Sequence, residues 1–227
     1  MVTEKFHGIQ RKIASRAEAS GRKPSDMVLV CVVKEARFED VEKVVRSGAT
    51  DIGENRVQDA IIRQQRLEGV GRPVRWHFIG HLQTNKVKKA VEMFDLIHSV
   101  DSEHLAERIQ REAERLGKMQ SILMQVNVSG EDSKFGIAAE EAGGLVKSIS
   151  GMKHLMLMGL MAMPPYSENP EDSRPHFARL RKLRDSLRPF DCDNVCMRHL
   201  SMGMSGDFEV AIEEGADIVR IGSAIFK

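Results

Sequence analysis

The sequence predicts an α/β protein in which eight strand–helix units close into one (β/α)8 barrel, also called a TIM barrel. The first reason is a regular alternation of short apolar runs with amphipathic segments, which is typical of a parallel sheet covered by helices. The second is the number of these units, because eight suits a closed barrel. The third is a faint internal repeat: segments 47–52 and 214–218 both join a helix end, a glycine and a strand start.

The chain begins with an amphipathic segment outside the eight units. Its apolar residues recur at helical spacing up to Gly21 and Pro24, so residues 1–23 are predicted to form an N-terminal helix that packs on the barrel. The run 27–33 is continuously apolar and rich in β-branched residues, as in a strand buried on both faces. The predicted strands are 27–33, 51–53, 76–80, 96–100, 121–128, 155–163, 197–202 and 217–222.

Amphipathic segments follow the strands, and the last one is barely present. Their apolar positions lie within 38–45, 57–67, 87–91, 105–116, 142–149, 177–187 and 208–212. The rival interpretation is an open, doubly wound sheet, but no G-x-G-x-x-G follows the first strand, where a dinucleotide fold carries it. Because no Pro/Gly/Ser-rich linker divides the chain, residues 1–227 are predicted to form a single domain.

The composition excludes several classes of protein. The chain has 34 Lys and Arg against 33 Asp and Glu, for a net charge of +1, so a strong non-specific hold on nucleic acid is not expected. No apolar run approaches the roughly 18 residues of a membrane span, and the charged start lacks a signal-peptide core. Three cysteines (Cys31, Cys192 and Cys196) make no disulfide framework. These features predict a cytoplasmic protein with reduced thiols.

Lys34 is the leading candidate for chemistry, because a barrel of this type works at the carboxyl ends of its strands. It comes directly after the apolar run Val28–Val33. It is either a rim charge that reaches water or an amine held in a dry pocket. Arg220 ends the last strand and would lie beside Lys34 in a closed barrel. A cation there, with desolvation, would favour the neutral amine that forms an imine.

The ends of the last two strands provide small residues, hydroxyls and free backbone N–H groups. Barrels of this class often bind phosphate there, at the start of a short helix. The alternative is two ordinary glycine-containing turns. The candidate residues are Ser201, Met202, Gly203, Gly222 and Ser223.

Pyridoxal phosphate fits this combination of groups, with an aldehyde for Lys34, a phosphate for the two turns and a pyridine nitrogen for Arg220. Arginine stays protonated, so it donates to an unprotonated ring nitrogen and leaves the ring a weaker electron sink than a carboxylate partner would. Limited carbanion chemistry is therefore expected. Asn55 either contacts the ligand ring or caps a helix. His77 and His81 flank a strand end and are not predicted to bind a metal.

Several segments of the sequence resemble the pyridoxal phosphate homeostasis protein family. The resemblance runs from about Met27 to the C-terminus, and the blocks HFIGHLQTNK, LSMGMSGD and VRIGSAIF are its most specific parts. The matching segments are 33–34, 53–55, 76–86, 159–163, 200–207 and 219–226. The resemblance implies a fold type III barrel, like the N-terminal domain of alanine racemase.

The resemblance also implies a function and roles for residues. Members hold pyridoxal 5′-phosphate as an internal aldimine, here on Lys34, and balance the supply of the cofactor without robust catalysis. Arg220 would face the pyridine nitrogen. Asn55 and His77 would lie near the ring, and the phosphate would be held by Ser201, Gly222 and Ser223. PLP-dependent apoenzymes are the expected recipients, and a monomer is expected because the dimer-forming domain of alanine racemase is absent.

Two enzymatic alternatives use the same lysine. An amino-acid racemase needs proton donors on both faces of the ring, and the chain has one tyrosine, Tyr166, after the sixth predicted strand. A Schiff-base aldolase acting on phosphorylated substrates would use Lys34 and the phosphate turns. The chain also departs from the family pattern, because Val33 precedes the lysine and Glu35-Ala36-Arg37 follows it.

Overall fold

The computed structural model describes residues 1–131 and 134–227, and its centre is a closed barrel of parallel strands in the order of the sequence. The strands in the described residues are β1 Val28–Val32, β2 Asp51–Glu54, β3 Arg75–Phe78, β4 Leu96–Val100, β5 Gln120–Gln125, β6 Leu155–Met161, β7 Val195–Ser201 and β8 Ile218–Ile221. The α-helices in the same residues are α1 Val2–Ala19, α2 Phe38–Arg46, α3 Val57–Leu67, α4 Val87–Met93, α5 Glu103–Arg115, α6 Ala142–Ser150, α7 Arg174–Leu187, α8 Phe208–Glu213 and α9 Ser223–Phe226. The prediction of a (β/α)8 barrel is confirmed.

The barrel closes where β1 pairs with β8. The paired residues run from Val28 opposite Ile218 to Cys31 opposite Ile221, and the N–H of Val28 donates to the carbonyl of Asp217 at 2.7 Å. An open, doubly wound sheet would leave these two strands as separate edges. Val30 is fully buried in the barrel interior, which agrees with the continuous apolar run of the first strand.

The N-terminal helix α1 packs on the outside of the barrel, against α8 and α9. Its buried face consists of Phe6, Ile9, Ile13 and Ala17, spaced at helical intervals. Arg16 adds ion pairs to Glu209 and Glu213 of α8. The helix ends before Gly21, whose φ of +70° lies in the left-handed region that glycine adopts without strain.

Several strand boundaries differ from the sequence expectation, and at the end of β5 the reason is identifiable. Strand β5 ends at Gln125 and not at residue 128, because the side chain of Asn127 accepts the N–H groups of Ser129 and Gly130 and so forms a turn. Strand β7 starts at Val195, two residues before the predicted start. Within the described residues, no helix combines the length and the apolar character needed to cross a membrane.

Gly159 provides a test of strand packing. Its φ is +145°, and a Cβ at this position would overlap the carbonyl oxygen of His199 on β7. We expect Gly159→Ala to lower the free energy of unfolding by at least about 2 kcal/mol, measured by urea denaturation. Gly144→Ala is the matched control, because Gly144 lies exposed in α6 with open space around it. The control should be neutral or stabilising by up to about 1 kcal/mol. Equal losses in both variants would contradict this account.

Candidate functional site

A cavity of about 580 Å³ opens at the carboxyl ends of the strands. Its volume falls in the range of about 300–1,000 Å³ that is usual for small-molecule sites. The predicted site residues on its wall are Lys34, Asn55, Arg220, Gly222 and Ser223. The barrel thus brings residues from opposite ends of the chain to one concave surface.

Lys34 lies on the cavity wall one residue after Val33. The N–H of Val33 donates to Gly53 on β2, which continues the sheet up to the residue before the lysine, and the N–H of Ala36 then returns to Val33 in a tight turn. The lysine side chain is exposed, so it is not enclosed in a dry pocket. It combines features of both interpretations, since it reaches water and also lines the cavity.

A buried ion pair ties the loop after β1 to the loop after β2. Arg63 of α3 donates through Nε to Glu54 at 2.9 Å and through Nη2 to the carbonyl of Ala36 at 3.1 Å. The other carboxylate oxygen of Glu54 accepts the N–H of Asn55 at 2.9 Å. Burial raises the pKa of Glu54, against the opposing effects of Asn55 and Arg63. This ion pair positions Asn55 and the turn that carries Lys34.

Arg220 forms part of the cavity wall from β8. Its Nη1 donates to the hydroxyl of Ser201 at 2.6 Å and its Nη2 donates to the carbonyl of Ala162 at 3.0 Å. Burial lowers the pKa of Arg220 to about 10, so the guanidinium stays charged at neutral pH. Its Nε–H makes no hydrogen bond to the described residues. The guanidinium therefore has donor capacity left for a ligand atom.

His77 and Ser201 are buried and are not part of the cavity wall. Nε2 of His77 lies 2.8 Å from Asp51 Oδ1, and its Nδ1 lies 2.9 Å from Nε2 of His98. Nδ1 of His98 lies 2.9 Å from the Ser201 hydroxyl. Ser201 thus contacts Arg220 from behind, and His77 is two further hydrogen bonds away.

Met202 and Gly203 also lie outside the cavity wall. Met202 is fully buried and its N–H donates to Ile218. Gly203 has a φ of +91°, its carbonyl accepts the N–H of Arg220, and a Cβ there would lie 2.5 Å from Ala211 Cβ. These contacts give both residues packing roles, and their predicted contact with a cofactor stays a prediction. The next four residues, Met204, Ser205, Gly206 and Asp207, form the wall instead.

The turns after β7 and β8 meet at Ser205. Its hydroxyl oxygen accepts the N–H of Gly222 at 3.3 Å and the N–H of Ala224 at 3.2 Å. Two backbone donors from one turn thus converge on a single oxygen at the cavity wall. Such convergent N–H groups suit an anionic oxygen.

The sequence interpretation missed an aromatic pair at the cavity. The rings of His81 and Phe135 stack with centroids 4.2 Å apart and planes 20° apart, and both residues line the wall. His81 was visible as a strand-end residue, but its partner comes from the segment after β5 and no local pattern links the two. In the part of the chain that the structure describes, no group of three or more His, Cys, Asp or Glu side chains is placed to hold a metal ion.

Comparison with known proteins gives a consistent family assignment. The profile of the family described as "Alanine racemase, N-terminal domain" matches residues 9–227. A protein of Aquifex aeolicus named pyridoxal phosphate homeostasis protein is 42% identical over 98% of this chain and 96% of its own length. The chain belongs to the pyridoxal phosphate homeostasis protein family.

Other members of the family show the same extent of similarity. The member from Pseudomonas aeruginosa is 37% identical over 99% of this chain and 94% of its own length. Among solved structures, PipY of Synechococcus elongatus with PLP bound is 33% identical, with a TM-score of 0.84 over 95% of this chain and all of its own. The family membership predicted from the sequence blocks is therefore confirmed.

The buried ion pair of Arg63 with Glu54 predicts a large effect of substitution. Arg63→Gln would leave a fully buried carboxylate without its counter-ion, so we expect the free energy of unfolding to fall by about 3 kcal/mol in urea denaturation. Arg46→Gln is the matched control, because Arg46 pairs with Glu42 on the surface of α2. That pair should contribute less than about 1 kcal/mol. A loss in Arg63→Gln as small as that of the control would refute the role assigned to this pair.

The buried imidazole of His98 predicts a dependence of stability on pH. Burial, together with nearby His77 and Arg220, holds the pKa of His98 well below 6.5. Below pH 6.5 the unfolded chain therefore binds a proton that the folded protein does not. The free energy of unfolding should fall with falling pH, and this histidine should contribute about 1.4 kcal/mol per pH unit.

The slope is measured by urea denaturation between pH 7 and pH 5. We expect His98→Gln to reduce it, and His104→Gln, which alters an exposed histidine on α5, to leave it unchanged. NMR titration of the wild-type protein gives a second measurement, in which the His98 ring signals should not titrate near pH 6.5. A normal titration there would disprove the prediction.

Proposed function

We propose that this protein binds pyridoxal 5′-phosphate in the cavity, holds it covalently through Lys34 and takes part in the homeostasis of this cofactor without catalytic turnover. The observation that carries the proposal is the meeting of three groups on one wall: the amine of Lys34, the guanidinium of Arg220 and the turn at Gly222 and Ser223, which faces the hydroxyl of Ser205. The names of the relatives and the bound PLP in PipY support the same ligand.

The three groups match the three polar parts of this cofactor. When bound, the cofactor supplies an aldehyde carbon that reacts with a primary amine. Lys34 provides that amine, and its exposure leaves it accessible. Arg220 donates a hydrogen bond to the ring nitrogen without giving up its proton. The turn at Gly222 and Ser223, with Ser205 opposite, holds the phosphate oxygens. Ser201, Met202, Gly203 and His77 support this site from behind.

The proposal of a carrier without turnover is supported by the position of Tyr166. A racemase needs a second proton donor held against the ring, on the face opposite the lysine. The side chain of Tyr166 lines the rim of the cavity but is 89% exposed. No hydrogen bond to the described residues fixes its hydroxyl. The expected turnover of amino acids is therefore negligible.

We further propose that the protein is a cytoplasmic monomer that passes the cofactor to PLP-dependent apoenzymes. An open cavity supports such transfer, because the bound cofactor stays accessible to an incoming amine. Exposed apolar side chains at the rim, Phe135, Met163 and Tyr166, surround the opening. Gel filtration with light scattering tests the monomer, and mixing the loaded protein with an apoenzyme tests the transfer.

Covalent loading is tested by mixing the protein with pyridoxal 5′-phosphate and recording visible absorbance. The product is then reduced with borohydride, and the modified peptide is mapped by mass spectrometry. We expect a yellow complex with the adduct on Lys34, and Lys34→Ala should reduce the adduct more than about tenfold. A colourless wild-type protein, or an adduct confined to another residue, would overturn the proposed function.

Lys227→Ala is the matched control for this experiment. Lys227 lines the same cavity, but its amine pairs with Glu35 at 2.7 Å. The adduct on Lys34 should persist in this variant. Loss of the adduct in both variants alike would indicate that the cavity requires positive charge and not the particular amine of Lys34.

A further inference from the structure

A chain of four hydrogen bonds crosses the interior of the barrel from the cavity wall to the start of β2. It links Arg220 to Ser201 at 2.6 Å, Ser201 to His98 at 2.9 Å, His98 to His77 at 2.9 Å and His77 to Asp51 at 2.8 Å. All five side chains are buried. This hydrogen-bond chain connects five different strands and uses both ring nitrogens of each histidine.

With neutral histidine rings, the chemistry of its two ends determines the direction of every hydrogen bond. A guanidinium can only donate and a carboxylate can only accept. Ser201 therefore accepts from Arg220 and donates to Nδ1 of His98, whose Nε2–H donates to Nδ1 of His77. The Nε2–H of His77 then donates to Asp51. The opposite direction would place a bare ring nitrogen of His77 against the carboxylate unless His77 were cationic. With both rings neutral, this direction alone satisfies the carboxylate of Asp51, and each ring is then protonated at Nε2.

Arg220 has no direct counter-ion among the described charged side chains around these hydrogen bonds. Among the described residues no carboxylate oxygen lies within salt-bridge distance of its guanidinium. At the other end, Asp51 accepts hydrogen bonds from Thr50 and Arg75 as well as from His77. Burial opposes the ionisation of Asp51, but these donors outweigh it and lower the pKa of Asp51 to about 2. Other titratable groups near these hydrogen bonds, among the described residues, are Cys31 beside Asp51, His199 with its partner Asp217, and Asp207.

We infer that Asp51, His77 and His98 are positioning residues that act through Ser201 to hold the guanidinium of Arg220 with its remaining donors facing the cavity. The inference rests on the proposed function, since the acceptor is the ring nitrogen of the cofactor. Hydrogen bonds that all point the same way polarise and strengthen one another. These hydrogen bonds do not deliver protons, because Arg220, from which they start, stays protonated. It fixes the orientation of Arg220 and so the electronic environment of the bound ring.

The inference is tested by Asp51→Asn, which keeps the shape of the side chain but removes the anion at the end of the chain. The matched control is Asp217→Asn. Asp217 also accepts from a histidine, His199 at 3.0 Å, but this pair is outside the chain. Both variants are loaded with pyridoxal 5′-phosphate, and the visible spectrum at saturation, its pH dependence and the dissociation constant are measured.

We expect Asp51→Asn to shift the visible band or its pH titration and to weaken binding about tenfold, as for one charge-assisted hydrogen bond. The control should stay within about twofold of wild type. If Asp51→Asn does not fold, Ser201→Ala replaces it, because it cuts the chain next to Arg220. A loaded variant with the wild-type spectrum, pH titration and affinity overturns the inference, and so do equal changes in variant and control.

The unloaded protein provides a readout that does not depend on the cofactor. Nitrogen-15 NMR should show His77 and His98 as neutral rings protonated at Nε2 at pH 7. Protonation of either ring at Nδ1 would overturn the chain. A wild-type protein that forms no coloured complex would instead overturn the proposed function, together with the role of the chain toward the cofactor. The failures of the two proposals are thus distinguishable.

Discussion

The arrangement of the site depends on the parallel pairing of β1 with β8. These strands come from opposite ends of the chain, and their register places Val30 opposite Arg220. Lys34 follows β1 on the same edge, so the pairing brings an amine and a guanidinium to one cavity. Without this closure each group would be an isolated charge at the edge of an open sheet, and Lys34 and Arg220 would not line the same cavity.

The barrel buries several charged side chains. Asp51, Glu54 and Arg220 are each at most 3% exposed. Burying an unpaired charge is costly, so each of these groups needs compensation. Glu54 has a direct partner in Arg63 and Asp51 has one in Arg75, whereas Arg220 is connected to Asp51 only through a serine and two histidines. Arg220 and Asp51 thus belong to one connected set of hydrogen bonds, and Glu54 with Arg63 forms a separate pair.

The site contains two kinds of residue, those on the cavity wall and those behind it. Lys34 and Asn55 lie on the wall, where a ligand can reach them, and their loops are held together by Arg63. His77 and Ser201 lie behind the wall, and in the proposed arrangement they would act on the ligand through Arg220. The proposed role of these buried residues is to set the orientation and the charge environment of Arg220.

Much of the fold was predictable because it is encoded in local patterns. Apolar periodicity identified the alternating strands and helices, and the rule that barrels work at the carboxyl ends of strands selected Lys34 and Arg220. The specific sequence blocks identified the family. The ends of elements were less predictable, as in β5, where the side chain of Asn127 forms a turn inside an apparently strand-like run.

The sequence by itself determined the class of fold, the order of its elements and some of the residues that reach the cavity from strand ends, such as Lys34 and Arg220, because each of these depends on spacing along the chain. Only the tertiary structure decided which residues stand behind the wall. His98 lies in an ordinary strand pattern, and its hydroxyl partner Ser201 is 103 residues away. Contacts of this kind arise from the closure and stagger of the barrel, which place side chains from distant strands at one level of the interior, and no local pattern records them.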